Sequence, residues 1–268
     1  MKFSLATWNI NSVRLRIGLV AKLLREKSPD ILCLQETKCP QGQFPAAALK
    51  DLGYTHFAEF GQKGYHGVAI VSRIPFHTQH SWDFCQKGDS RHVSARFDGD
   101  TPFILHNLYV PAGGDEPDET INEKFGHKLR FIAEMESWSK ADAKPKGYEA
   151  IVVGDLNIAP LEHDVWSHKE LLKIVSHTPV ETEGFGRIQK AGGWVDVMRE
   201  HVPPSEKLYT WWSYRAKDWE ASNRGRRLDH IWTTRKLADS CRKIEIVREA
   251  RSWTQPSDHV PVIAHFGS

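Results

Sequence analysis

Hydrophobic positions recur with two periods along this chain, and each change of period marks an element. Phe3 to Trp8 alternates and predicts a strand that ends at Asn9-Ile10-Asn11-Ser12. Apolar residues then fall at Val13, Ile17, Val20, Leu23 and Leu24, the spacing of an amphipathic helix over residues 13–27. Ser28-Pro29-Asp30 stops it, and Ile31-Leu32-Cys33-Leu34 reads as a buried strand. A strand, a helix and a returning strand are compatible with βαβ packing. Strands are also expected at residues 54–60, 68–72, 92–97 and 102–109, the third of these alternating as an exposed strand. A short helix is expected at residues 44–52 and a long amphipathic one at 121–141. Ala150-Ile151-Val152-Val153 fits a strand buried on both faces, with Gly154 turning the chain at its end. Further on, residues 161–175 and 181–191 read as helical, and residues 228–233, 244–248 and 260–266 as strands. So many strands exceed one ordinary sheet. Two sheets packed face to face with helices outside would bury these runs, in one domain spanning residues 1–268.

Composition narrows the class. The 268 residues are 40% hydrophobic and 26% charged, as in a soluble globular protein. A net charge of +2 argues against a wholly basic binding protein and leaves room for a local basic face. Cys33, Cys39, Cys85 and Cys241 form no C-x-x-C pair, which reads as reduced thiols in a cytoplasm rather than a zinc site. No apolar run approaches membrane-spanning length and no signal-peptide pattern opens the chain, so a cytoplasmic protein without a membrane partner is expected. Nothing in the pattern signals an oligomer, and a monomer is expected.

Polar residues stand where the apolar strands stop: Asn9, Glu36, Tyr109, Asp155 with Asn157, Asp229 with His230, and Asp258 with His259. Each has an ordinary reading when taken alone. Asp155 and Asn157 fit an Asx-turn, Asn9 a helix cap, Glu36 a partner for Lys38, and Asp229 a partner for Arg226 or Arg227. Their recurrence at strand ends points instead to a shared site. If the backbone stays extended past Gly154, Asp155 and Asn157 point the same way. Carboxylates with amide oxygens suit a hard divalent cation, with Glu36 the leading ligand. Asp229 would orient His259 and hold it protonated, Asp155 could accept a proton from water, and Asn157 and Tyr109 could donate to a developing oxyanion. A metal, a base and neutral donors are what phosphoester hydrolysis requires. No Walker loop or G-x-S-x-G elbow is present.

The stretches Trp8-Asn9-Ile10-Asn11, Leu34-Gln35-Glu36-Thr37-Lys38, Gly64-Tyr65-His66-Gly67-Val68, Gly154-Asp155-Leu156-Asn157, Arg227-Leu228-Asp229 and Ser257-Asp258-His259 occur in this order from the first strand to the last. Together they resemble the exonuclease III family of apurinic/apyrimidinic endonucleases, in the endonuclease/exonuclease/phosphatase superfamily. The resemblance implies a four-layer α/β sandwich of the DNase I-like kind, two mixed sheets flanked by helices. It implies Mg²⁺, with Mn²⁺ able to substitute, held by Glu36 with Asn9, Asp155, Asn157, Asp258 and His259 around metal and phosphate. It gives Asp155 a proton to move, Tyr109 and Asn157 the phosphate and transition state, and His259, oriented by Asp229, a phosphate oxygen.

The resemblance implies double-stranded DNA containing abasic sites or blocked 3′ ends as substrate, and the local residues favour DNA over a small phosphoester. Tyr209, Trp211, Trp212, Tyr214 and Trp219 interleave with Arg215 and Lys217, and Arg224, Arg226 and Arg227 follow. Aromatic faces with cations grip unstacked nucleotides and phosphates, though an aromatic core edge reads the same way. By the resemblance, Trp211 and then Trp212 match a wall against the abasic sugar. Arg14, Lys63, Gly64, Tyr65 and Arg224 are candidate backbone contacts. Two positions depart from the family pattern: Ala112 stands where relatives often carry an amide, and Arg226, which could add a DNA contact or alter the pocket wall, stands where they often carry an apolar or aromatic residue. A superfamily phosphoesterase acting on lipid or inositol phosphates is the alternative, since it would share the same polar set.

Overall fold

The direction in which each strand runs decides where this chain gathers its polar residues. The computed structural model describes residues 2–77 and 79–267. In chain order its strands are β1 (Phe3–Asn9), β2 (Ile31–Gln35), β3 (His56–Phe60), β4 (Val68–Ser72), β5 (Gln79–His80), β6 (His92–Phe97) and β7 (Phe103–Tyr109). They continue as β8 (Glu149–Asp155), β9 (Val195–Asp196), β10 (Trp211–Trp212), β11 (Gly225–Arg226), β12 (Asp229–Thr233), β13 (Cys241–Ile246) and β14 (Val262–Phe266). One sheet has the order β13-β14-β1-β2-β4-β3, the other β5-β6-β7-β8-β12-β9, and β10-β11 form a small ladder apart from both.

Each large sheet is mixed. β1 and β2 are parallel across the helix Val13–Glu26, and β7 and β8 are parallel across the helix Glu123–Ala141. These four strands end at one edge of the sandwich. β14 runs antiparallel to β1 and β12 antiparallel to β8, so both begin at that edge. The consequence is topological: the C-terminal ends of β1, β2, β7 and β8 meet the N-terminal ends of β12 and β14.

The core between the sheets is apolar. Leu5, Ile31, Cys33 and Ile70 from one sheet face Ala95, Leu105, Ile151 and Ile231 from the other. Phe3 stacks on Phe103 at 4.9 Å and Phe103 on Phe97 at 4.8 Å, the offset geometry aromatic pairs prefer. On the outer face of the first sheet, Val20, Leu23 and Leu24 of the helix Val13–Glu26 pack over Ala6, Trp8 and Leu32. Outside the second, Phe131, Ile132 and Met135 meet Val152 and Trp232, together with Phe185 and Ile188 of the helix Pro179–Gly192. Helix, sheet, sheet and helix make four layers. No helix among the described residues is long and apolar enough to cross a membrane.

Several expectations need correction. β6 is not an exposed strand: it lies between β5 and β7, and His92, Val93, Ser94 and Ala95 are all buried. Its polar residues pair sideways, His92 Nε2 with His106 Nδ1 at 2.9 Å, which hides the alternation. The region 44–52 holds only one helical turn, Ala47–Lys50, and region 161–175 only the turns Glu162–Asp164 and His168–Leu171. The long helix begins at Glu123 because Asn122 caps it, its side chain accepting from Lys124 N at 3.1 Å. Gly154 does not end its strand. It sits inside β8 with φ 141°, opposite Leu108, and a Cβ there would run into the Leu108 carbonyl oxygen. Glycine is needed for close strand approach rather than for a turn.

Candidate active site

The converging edge carries one connected set of polar side chains. Asn9 ends β1, and its Nδ2 donates both to Glu36 Oε1 at 2.9 Å and to Asp155 Oδ2 at 2.8 Å. Tyr109, the last residue of β7, donates its hydroxyl to Glu36 Oε1 at 2.9 Å, and Lys38 Nζ pairs with Glu36 Oε2 at 2.9 Å. Asp229, the first residue of β12, lies in register with Asp155. Its Oδ2 accepts from His259 Nδ1 at 2.8 Å, and His259 Nε2 stands 3.6 Å from Asp155 Oδ2. Below this set, Gln35 and Asn107 join the two sheets with a 2.7 Å hydrogen bond, and Asn107 donates to the carbonyls of Leu34 and Ala69. That buried amide bridge fixes the strand ends relative to one another.

Backbone strain collects here. Glu36 has φ 48° and Asn157 φ 53°, left-handed conformations that aim each side chain inward from a strand end. The chain therefore does not stay extended past Asp155. Instead Asn157 N donates to Asp155 Oδ1 at 3.1 Å, the Asx-turn read from these residues in isolation. Asp155 is both a turn residue and a member of the site.

Burial and neighbours set the protonation states. Burial pushes Asp155 up to about 7; Asp229 and Glu36 add to the rise, against His259 and Asn9. For His259, burial pulls down, but Asp229 and Asp155 outweigh it and raise the imidazole to about 10. Glu36 is desolvated too, yet Lys38 and the Asn9 amide hold it below the usual carboxylate value. Burial, then Glu36 and Asp155, push the Tyr109 phenol well above its ordinary value. At neutral pH the site presents an imidazolium, an ionised Glu36, a neutral phenol and an Asp155 poised to exchange a proton.

A cavity of about 650 Å³ opens on Glu36, Tyr109, Asp155, Asn157, Asp258 and His259. Its far walls carry Trp166, Trp211, Arg215, Arg224 and Arg226. Trp211 Nε1 donates to Asp258 Oδ2 at 2.9 Å, tying that wall to the site.

Residues 6–259 match the Endonuclease/Exonuclease/phosphatase family. This chain belongs to that family. Within it, the chain is similar to exodeoxyribonuclease III of Haemophilus influenzae, 30% identical over 275 residues, covering 99% of this chain and 100% of the relative. Among solved structures it is similar to an AP endonuclease from Archaeoglobus fulgidus, with TM-score 0.90, 33% identity, and 99% and 100% of the two chains covered. It is also similar to a 3′-5′ exonuclease from Neisseria meningitidis, with TM-score 0.89, 31% identity and the same coverage. A structure described as a Neisseria 3′ phosphatase bound to product DNA hairpin superposes equally well, with TM-score 0.89 and 31% identity over 99% and 100% of the chains. The two mixed sheets flanked by helices are the DNase I-like fold of these endonuclease/exonuclease/phosphatase proteins.

The residues expected at the site of this family member fall into three groups. Asn9, Glu36, Tyr109, Asp155, Asn157, Asp229, Asp258 and His259 are brought together. Some face differently from expectation. Asn9 presents its NH₂ to the carboxylates while its Oδ1 accepts from Asn11 N, so it holds Glu36 and Asp155 rather than offering an oxygen. Asn157 Nδ2 donates to Val110 O at 2.9 Å, and the Tyr109 hydroxyl is engaged by Glu36. His230 points away from the site, its Nε2 bonded to Ile158 O. Arg14, Lys63, Gly64 and Tyr65 are exposed beyond the cavity. Trp212 is no DNA-facing wall: it is 2% exposed and packs against Tyr209 and Trp219, with Nε1 on Asn223 Oδ1. Adjacent residues of β10 face opposite sides, so Trp211 takes the cavity and Trp212 the core.

Three residues at or beneath the site escaped the sequence reading. Trp166 forms the cavity wall under Arg224, whose guanidinium lies 4.4 Å from its ring. Asn11 accepts from Lys38 Nζ at 2.6 Å. Lys128 is fully buried and donates to Asn157 O at 2.7 Å while pairing with Glu181 at 2.5 Å. A signal for Lys128 existed: it lies three residues after Phe125 and four before Ile132, on the apolar face of its helix, where a lysine needs a partner.

The donor set also bears on a metal. Glu36, Asp155, Asp229 and Asp258 are four carboxylates against two cations, Lys38 and His259, and Asp229 Oδ1 is buried without a partner. A surplus of carboxylate oxygens fits a hard divalent cation. Asp155, Asp229 and His259 place one ligand atom each within 4.8 Å of one another. His259 is the weak member of that trio, because an imidazole protonated between two carboxylates has no free lone pair on the side that faces them. Glu36 and Asp155 are the better oxygen donors.

Proposed function

We propose that this enzyme hydrolyses the phosphodiester on the 5′ side of abasic sites in duplex DNA, leaving a 3′-hydroxyl, and removes nucleotides and blocking groups from 3′ ends at the same site. The observation that carries this reading is a single cavity, which joins the Asp155–His259–Asp229 set and Glu36 to a wall of Trp166 and Trp211 with three arginines. Phosphoester chemistry and a surface for an unstacked nucleotide share one space. The DNA named for the Neisseria relative and the activities named for the Haemophilus and Archaeoglobus relatives support the same substrate.

Glu36 with Asp155, and Asp258 nearby, would hold Mg²⁺, with Mn²⁺ as a substitute. When bound, such an ion neutralises charge on the phosphate and polarises it toward attack. The chain supplies the rest. His259 directs Nε2–H at a phosphate oxygen, and Asp229 fixes its ring and stabilises its charge. The oxygen of water joins phosphorus, the P–O3′ bond breaks, and the 3′-oxygen leaves with a proton. Asp155, held near neutrality by burial, moves a proton in that exchange, from the water or to the leaving oxygen. Tyr109 and Asn9 hold Glu36 in place from two sides. One copy of the chain contains every group invoked, and a monomer suffices.

Product analysis on end-labelled duplexes, intact and with one abasic site, tests the reading. Mg²⁺-dependent incision 5′ to the abasic site, abolished by EDTA, is expected. Turnover of inositol phosphates with both duplexes left uncut would overturn it in favour of a superfamily phosphoesterase.

A further inference from the structure

A fully buried charge pair lies under the cavity with no part in the phosphoester chemistry. Lys128, from the helix Glu123–Ala141, meets Glu181, from the helix Pro179–Gly192, at 2.5 Å. The ammonium directs its three N–H groups at three acceptors: Glu181 Oε1, Asn157 O at 2.7 Å and Ala112 O at 3.2 Å. Glu181 accepts from Ser176 N with both oxygens at 2.9 Å, from Thr178 N at 3.2 Å and from Thr178 Oγ1 at 2.6 Å. Three segments that line the cavity, at Ala112, Asn157 and Ser176, are thereby tied to one point. They close tightly on it: a Cβ on Gly113 would stand 2.9 Å from Lys128 Cδ and 3.0 Å from Val175 Cγ1.

An ion pair withdrawn from water contributes little more than an apolar pair of the same shape, so stability does not account for it. What the pair does fix is position. Asn157 is held left-handed with φ 53°, a costly conformation for a residue with a side chain. Three hydrogen bonds keep it there. Its N donates to Asp155 Oδ1, its Nδ2 donates to Val110 O, and its carbonyl accepts from Lys128. Only the last involves a charged partner deep in the interior beneath the turn, and charge-assisted bonds are the stronger kind.

We propose, building on the nuclease reading above, that Lys128 is a positioning residue: through the Asn157 carbonyl it holds the 155–157 turn in the shape that sets Asp155 and Asn157 for reaction, with Glu181 as its counter-ion. Buried as they are, neither Lys128 nor Glu181 touches substrate. Without Lys128 the turn relaxes from its left-handed form and Asn157 N leaves Asp155 Oδ1, so the carboxylate that moves a proton loses its fixed direction.

The test is the double variant Lys128→Met with Glu181→Gln. It leaves no buried charge unpaired, keeps an acceptor for Ser176 and Thr178, and strips the donor from Asn157 O. It is expected to fold with little change in Tm and to bind uncut abasic duplex within about threefold of the native Kd, while the single-turnover rate falls about tenfold to a hundredfold, the range of a displaced reacting group. A lower Tm with a native rate per folded molecule is what a purely structural pair predicts, and it overturns the proposal. Glu181→Gln alone leaves Lys128 on both carbonyls and should keep the rate within about threefold. A loss of about tenfold or more there also overturns the proposal, and this variant decides the matter if the double variant does not fold. Because Lys128 acts through Asn157, adding the same two substitutions to Asn157→Ala should change the rate less than about twofold; the full factor once more would count against it. One readout needs no turnover. A structure of the double variant with Asn157 still near φ 53° and its N still on Asp155 Oδ1 removes the basis of the proposal. Native enzyme that cuts no duplex would end the nuclease reading, whereas this structural comparison still decides whether Lys128 holds the turn.

Discussion

Two buried charge clusters lie two residues apart at the start of β12, and they behave as opposites. Arg227 is fully buried and saturated. Its Nε and Nη2 grip both oxygens of Asp164 at 2.8 and 2.9 Å, and Nη1 takes Asp196 Oδ2 at 2.6 Å. Arg199 adds a second bond to Asp164, giving two arginines and two aspartates with matched charge. Asp229 is equally buried, yet one of its oxygens has no partner, and its cluster holds more carboxylates than cations. The first cluster is planar, bidentate and closed, the geometry that lets an ion pair stay in an interior. The second is open to a cavity and incomplete without a ligand. Burial of charge alone therefore does not mark a site; burial with unmet valence does.

Removing divalent cations should separate the two clusters most sharply. EDTA is expected to take DNA cleavage to background, with Mg²⁺ or Mn²⁺ restoring it, while far-UV circular dichroism stays unchanged. Loss of the folded signal together with activity would place the cation in the structural class. Next in size is Asp155→Asn, which removes the titrating group at the open cluster. It is expected to lower kcat about 10³-fold with an unchanged or raised Tm; single-turnover kinetics and calorimetry read both. A kcat within twofold of the native enzyme would mean Asp155 serves only its turn.

The closed cluster should respond in the other currency. Arg227→Met leaves Asp196 without its cation and Asp164 with Arg199 alone, and is expected to cost about 3–5 kcal/mol in a urea titration, with a far smaller change in kcat per folded molecule. A destabilisation below about 1 kcal/mol would show that saturation counts for little here.

The neutral relay of His92 and His106 offers a pH test. Trp82 N donates to His92 Nδ1, and His106 Nε2 bonds Ala143 O at 2.9 Å, which suits two uncharged rings. Burial lowers His106 to about 4, with the nearby His80 and Arg96 charges adding to the drop and the Ala143 bond opposing it. Between that value and the usual imidazole value the unfolded chain binds a proton that the folded chain does not. Stability is therefore complete above about pH 6.5 and falls as pH drops toward about 4, by about 3 kcal/mol for this ring. His106→Gln should flatten that slope in a Tm-against-pH series; an unaltered slope would assign the acid sensitivity elsewhere. The smallest effect expected is that of Tyr109→Phe, which removes one of the two donors to Glu36 Oε1 and leaves Asn9 Nδ2 in place. A fall of about tenfold in kcat, with cation affinity changed less than threefold, would fit a bracing role.

Much of this arrangement was legible in the residues themselves. Apolar runs such as Ile31–Gln35 and the alternation in Phe3–Asn9 announced the strands, because the side-chain period is a local property of the backbone. Asn9, Glu36, Tyr109, Asp155, Asp229 and His259 stood out as polar groups at strand ends. The order of the six motif stretches carried the family resemblance, and the match over residues 6–259 agrees with it. What stayed hidden depended on partners distant in the chain. Gly154 looked like a turn because nothing local reveals the Leu108 carbonyl beside it. Trp211 and Trp212 looked alike because only the ladder with Gly225 and Arg226 assigns one to the cavity and the other to the core. His92–Phe97 looked exposed because its polar residues find their partners on β7 and in the preceding loop.

The sequence by itself thus determined the elements, the fold class and the polar set, since periodicity, turn chemistry and residue type act over a few positions. Only the tertiary structure decided which of the buried charges close on one another and which stay open. The direction of β1, β2, β7 and β8 against β12 and β14 sets that division, and no residue carries it alone. It pairs Asp229 with His259 across 30 positions, leaves Arg227 to Asp164 across 63, and sets Arg226 in the cavity wall on the neutral acceptors Val175 O and Ser176 Oγ.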